Sequence, residues 1–290
     1  MPITRHLRFG RILRACRGGF PAGALVLGAV LATSLPAVTP ASAAAPKLLC
    51  HRYQHVPVQA VRAGQARRAG QQGSYMVRND FWGTKAMCMS NSGKQPNFTV
   101  VKAGKNTLNG AVMAFPYIFT GCSWGICTPH SGLPAQASTL KDPRSSWDIT
   151  ATAGGIWDAS YDLWFSRHRI TNGQATGAEL MIWLNSSNIP PFSKKYVFTI
   201  SGAKWYFVTW KTPVRDGMSW RYLQFRRVHP TSSVKNLDLG AFIRKAENMK
   251  LGKTLHHYIK TQWWLMNVEA GFELTRGGAG LATNSFSAHL

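Results

Sequence analysis

The sequence predicts an all-β sandwich of two antiparallel sheets with one packed helix. Three features carry that expectation: short aromatic and β-branched runs divided by turn residues, alternation within those runs, and a single stretch with helical spacing. Residues 51–73, rich in Gln, Arg, Ala and Gly and without apolar periodicity, read as an exposed basic loop. From Tyr75 the strand-like runs begin. Residues 196–200 and 204–210 are two such runs with the turn signal Ser201-Gly202 between them, and another run follows Asp216-Gly217, from Ser219 to Val228. Between residues 237 and 250 the pattern changes: Leu239, Phe242, Ile243, Ala246 and Met249 recur at spacings of three and four, with Asp238 placed to cap a helix and Gly252 to stop it. No repeat or linker divides the chain. The expected organisation is therefore a leader over 1–43, an N-terminal strand and basic loop over 44–73, and one domain over 74–290.

The leader has the build of a secretory signal. Arg5, Arg8, Arg11, Arg14 and Arg17 precede an apolar run from Ala22 to Leu35, and Ala41-Ser42-Ala43 offers a small-residue cleavage site. That run is about fourteen residues, short of the roughly 20 a membrane span needs. A secreted protein without a membrane span is expected. Removing the leader takes the formal charge from +23 to +18. The basic residues are scattered and no motif sets a helix in a groove, which argues against nucleic acid; adsorption to anionic wall material or a merely solvated surface fits better. A monomer is expected. Cys50, Cys88, Cys122 and Cys127 remain after the leader, an even set suited to an oxidising compartment. Of the three connectivities, Cys50 with Cys88 and Cys122 with Cys127 is favoured, because the Ser-Trp-Gly-Ile spacer makes the second pair a local staple. A zinc site would want a second closely spaced ligand pair, and none is present.

The chain has only four glutamates, and their placement is informative. In the segment 178–184, Glu179, Met181 and Trp183 share one face of a strand while Leu180, Ile182 and Leu184 share the other. A carboxylate beside a thioether and an indole suits a sugar, whose ring faces stack on aromatics while its hydroxyls seek polar groups. In the segment 269–274, Glu269, Gly271 and Glu273 lie on one face, with glycine leaving room for something to approach. Asp162 alternates with Trp164 on a third strand. Two carboxylates facing one cleft are the minimum equipment for cleaving a glycosidic bond. Read singly, each segment also fits solvated surface carboxylates. Other chemistries fare worse: there is no phosphate loop, no Gly-x-Ser-x-Gly elbow, and the adjacent His256 and His257 would diverge rather than chelate.

These motifs together resemble glycoside hydrolase family 12, secreted β-1,4-endoglucanases. The resemblance covers residues 74–290 and rests on Tyr75-Met-Val-Arg-Asn-Asp-Phe-Trp-Gly83, Gly121-Cys-Ser-Trp-Gly-Ile-Cys-Thr128, Ser131-Gly-Leu-Pro134, Ser160-Tyr-Asp-Leu-Trp-Phe165, Glu179-Leu-Met-Ile-Trp-Leu184, Asn236-Leu-Asp-Leu239 and Glu269-Ala-Gly-Phe-Glu273. It implies a β-jelly roll whose concave sheet forms an open cleft, and a retaining mechanism with Glu179 as nucleophile, Glu273 as general acid/base and Asp162 assisting the nucleophile. It further implies that Asn79, Trp82, Met181 and Trp183 contact sugar, that the two favoured disulfides form, and that no metal or cofactor is required. The implied substrate is cellulose, mixed-linkage β-glucan or xyloglucan; a polysaccharide-binding, wall-associated protein with little catalysis is the alternative. This chain departs from the pattern at Asp80, where a second asparagine is common, and at Thr275 and Arg276, which replace an aromatic and a glutamine.

Overall fold

Alternation decides the architecture, because nearly every long strand buries one face against a second sheet. The computed structural model describes residues 45–59, 74–93, 95–192, 196–214 and 217–290. The expected leader over 1–43 and residues 60–73 of the expected loop lie outside these. In chain order the strands are β1 (Lys47–Leu49), β2 (Gln54–Gln59), β3 (Ser74–Asn79), β4 (Met87–Asn91), β5 (Phe98–Ala103), β6 (Tyr117–Ser123), β7 (Ile126–Cys127), β8 (Ala135–Gln136), β9 (Arg144–Thr150), β10 (Gly155–Ser166) and β11 (Ala178–Ser187). There follow β12 (Tyr196–Ile200), β13 (Ala203–Lys211), β14 (Arg221–Arg227), β15 (Ser233–Asp238), the helix α1 (Leu239–Glu247), β16 (Met249–Leu251), β17 (Thr254–His256), β18 (Trp264–Gly277) and β19 (Ala282–His289).

A six-stranded sheet in the order β1-β4-β5-β19-β9-β15 packs behind a larger one in the order β12-β13-β14-β11-β10-β18-β6-β3-β2. This is the jelly-roll sandwich. The expectation of two antiparallel sheets needs one amendment: β11 and β14 run parallel. The intervening strands β12 and β13 lie outside β14, so the chain re-enters the sheet beside β11 in the same direction. On β10 the odd residues Trp157, Ala159, Tyr161, Leu163 and Phe165 face the core, joined by Leu180 and Ile182 of β11 and Val268, Ala270 and Phe272 of β18. Across the core Trp147 meets Tyr161 and Phe272 at ring distances of 5.2 and 5.9 Å. Burying each such phenylalanine contributes about 1.5–3 kcal/mol.

Two local expectations change. The segment 51–73 was expected to be a loop, but its start is strand β2, paired along its length with β3. Val56 and Val58 are buried between exposed neighbours, a half-buried alternation that the surrounding polar residues mask. The helix forms where its stripe lies, with Asp238 Oδ1 accepting from the Ala241 N–H (2.8 Å) as its cap. It ends at Glu247, however, and Gly252 does not stop it. Met249–Leu251 instead pairs with Thr254–His256, and Gly252 supplies the positive φ of the intervening turn.

Cys50 is bonded to Cys88 and Cys122 to Cys127. The second bond closes the β6–β7 hairpin, whose two turn residues Trp124 and Gly125 both have positive φ, 49° and 83°. Among the described residues no helix is long and apolar enough to cross a membrane, and no group of three His, Cys, Asp or Glu side chains is placed to hold a metal.

Candidate active site

Behind the packed face of β10, β11 and β18 lies the other set of side chains, and it is acidic. The register sets them in rows across the three strands. Asn267, Trp164 and Glu179 form one row, Glu269, Asp162 and Met181 the next, Gly271, Ser160 and Trp183 a third, and Glu273 with Asp158 a fourth. Glu179, Asp162, Glu269 and Glu273 all line one groove of about 780 Å³, with Asp80, Trp82, Trp164 and Trp220 on its walls. Tyr53 and Trp124 extend the aromatic wall; Trp124 stands on the disulfide-closed hairpin and is 54% exposed.

The floor is sunk enough that charge is costly. Burial raises Glu179, and the charge of Glu273 raises it further, while an indole N–H donated by Trp220 to Glu179 Oε2 opposes both. Asp162 is driven well above the usual carboxylate range by burial and by the charges of Glu179, Glu269 and Glu273; Trp164 Nε1 donates to its Oδ2 at 2.9 Å. Glu273 is raised by burial, and Asp158, its neighbour across the β10–β18 pair, is close enough to share a proton with it and lowers it. Arg276, exposed near the end of β18, is not among the groups acting on Glu273. Glu269 is raised by burial against the opposing bond from Ser123, and accepts from Asn267 Nδ2 at 2.8 Å. Asp80 rises to about 6, burial outweighing the attraction of Arg78, 3.9 Å away, and of Arg52. Such a cluster cannot ionise fully, because like charges in a low-dielectric site repel.

Asn79, Met181 and Trp183 were expected to contact sugar, but none of the three lines the groove. Asn79 is 0% exposed and points into the sandwich, its Nδ2 donating to the carbonyl oxygens of Leu49 (3.1 Å) and Met87 (3.2 Å). The alternation of β3 sends Met76 and Arg78 toward the groove and Asn79 away from it, and Asp80, just past the strand end, turns back in. Met181 and Trp183 are on the groove face of β11, but Tyr222 and Ile189 cover them. The Tyr222 hydroxyl donates to Met181 Sδ at 3.1 Å, and Trp183 is left 7% exposed. Gly271 was expected to leave room for something to approach the strand. What approaches is the start of β6, since a Cβ there would lie 2.4 Å from the Pro116 carbonyl oxygen and 2.6 Å from Tyr117 Cβ.

Sequence reasoning passed over Asp158 and Trp220. Asp158 was findable, being two alternation steps before Asp162 on the same strand. Trp220 lies 41 residues from Glu179, and no local pattern links them.

A jelly roll with carboxyls gathered on the floor of an open, aromatic-walled groove has the build of a glycoside hydrolase. The comparisons with known proteins agree: the model of glycosyl hydrolase family 12 matches residues 73–290, and the chain belongs to that family. It is similar to endoglucanase cel12A from Rhodothermus marinus, with 39% identity and a TM-score of 0.69 over 83% of this chain and 97% of that one. A metagenome-derived family 12 endoglucanase shares 35% identity and a TM-score of 0.70, over 84% of this chain and 97% of its own. Endoglucanase S of Pectobacterium parmentieri is 28% identical over 171 residues, covering 58% of this chain and 62% of that protein.

Proposed function

We propose that this protein is a secreted, retaining endo-β-1,4-glucanase acting on cellulose, mixed-linkage β-glucan or xyloglucan. The observation that supports it most is the convergence of Glu179 and Glu273, from strands on either side of β10, on one groove in which each is half-buried and Glu273 influences Glu179. The glucan chain lies along the groove against Trp82 and its aromatic neighbours. Glu273, kept protonated by burial, gives its proton to the leaving glycosidic oxygen as Glu179 forms a bond to the anomeric carbon. Asp162 stays neutral beside the nucleophile, so the pair carries one charge rather than two. Water, deprotonated by Glu273, then displaces Glu179 and configuration is retained. The basic surface adsorbs the enzyme to anionic wall material after export.

Release of reducing sugar from carboxymethyl cellulose, barley β-glucan, xyloglucan and xylan by the parent and Glu179→Ala proteins tests this reading. Activity on a β-1,4-glucan that vanishes in the variant is expected. A parent that binds these polymers without cleaving any would make the protein a polysaccharide-binding module instead.

A further inference from the structure

Trp220 immediately precedes β14, and its indole N–H donates to Glu179 Oε2. Two residues on, Tyr222 is the partner of Glu179 across the parallel β11–β14 pair, so Trp220 and Tyr222 share the groove side. On the other flank of β11, Trp164 is the partner of Glu179 on β10, and its indole donates to Asp162 Oδ2. The two indoles meet edge to face, 5.5 Å between centroids at 62°. Each of two neighbouring carboxyls thus has its own indole donor, and each donor is braced by the other. Indole donates and never accepts, so it favours the ionised form of whatever carboxyl it meets.

We infer that Trp220 is a positioning residue that favours the ionised form of Glu179 against its burial and engages Oε2, leaving Oε1 to meet the anomeric carbon. The inference rests on the proposed role of Glu179 as nucleophile. The titratable groups facing Glu179 are Asp162 from β10, Tyr222 from β14, and Glu269 and Glu273 from β18. All are acids. Burial and Glu273 oppose the Glu179 charge, and the Trp220 bond favours it. Without that bond, burial and Glu273 act on Glu179 unopposed, and it holds a proton more readily.

The scarcity of glutamate makes a direct test practical, since Glu179, Glu247, Glu269 and Glu273 give only four carboxyl signals in a 13C-glutamate spectrum. In Trp220→Phe, which keeps the ring and loses the donor, the Glu179 signal is expected to titrate about one pH unit higher, and the acidic limb of kcat/KM to move with it. An unchanged Glu179 titration in the folded variant overturns the inference. Should the variant not fold, the unaltered protein answers: the Trp220 indole proton should follow the ionisation of Glu179, and an indole signal indifferent to it overturns the inference equally. Neither spectrum needs substrate, so absence of turnover in the parent would count against the proposed function and leave this result to stand separately.

Discussion

Asp158 sets how far Glu273 can hold its proton. It is buried at 1% exposure, and its own proton shared with Glu273 pulls the acid's titration down against the effect of burial. Asp158→Ala removes that pull, so the alkaline limb of the kcat/KM profile, which reports loss of the general acid's proton, is expected to move to higher pH. A profile unchanged in a folded variant would show the contact to be without consequence. At this scale legibility followed periodicity. Glu179, Asp162 and Glu273 could be placed on strand faces because alternation is local, and Asp158 could have been. Asn79 could have been too, since it alternates with the core residues Tyr75 and Val77 while Arg78 and Asp80 face the groove. Met181 and Trp183 were given the correct face, but Tyr222, from a strand some 40 residues on, covers them, and nothing near them in sequence reports that.

Among the elements, the two disulfides differ in what they restrain. Cys50–Cys88 closes a separation of 38 residues and ties the N-terminal strand region to β4, whereas Cys122–Cys127 closes a separation of 5 within one hairpin. Loop entropy assigns about 4 kcal/mol to the first and about 2 kcal/mol to the second. Replacing the first pair by serines is therefore expected to lower Tm by roughly twice as much as replacing the second. Equal losses, measured by thermal unfolding, would mean that native packing rather than chain closure decides their worth. The strands and the helix were legible where apolar spacing was strong, as at Phe242, Ile243 and Ala246. Element ends were less so. Gly252 looked like a helix stop, but Met249, buried at 0%, is carried into the core by a short ribbon that only tertiary contact stabilises. β2 was hidden because only two of its residues, Val56 and Val58, are apolar and buried.

For the whole molecule, the price of the site is paid as pH-dependent stability. Unfolded, the carboxyls of Glu179, Glu269 and Asp80 release their protons near pH 4; folded, burial makes them keep those protons to higher pH, to about 6 for Asp80. The folded state therefore binds more protons than the unfolded one from about pH 4 upward, and stability falls as pH rises through that window. Tm is expected to be higher at pH 5 than at pH 8, and Glu269→Gln, which cannot ionise, should narrow the difference. A Tm that rises from pH 5 to pH 8, in both proteins alike, would contradict this. The sandwich itself was legible from the sequence as a whole, since alternating runs without helical spacing have few other solutions. That the first and fourth rows of the floor line one groove was not legible in any single strand, because it is set by how three strands pair.

The central claim is that Glu179 bonds covalently to a glucan, and trapping that bond tests it most directly. An activated 2-deoxy-2-fluoro-β-cellobioside should add one fluorocellobiosyl group to the intact protein, and peptide mapping should place it on Glu179. No covalent adduct from an enzyme that cleaves β-glucan, or an adduct on Glu269 or Glu273 instead, would contradict the account.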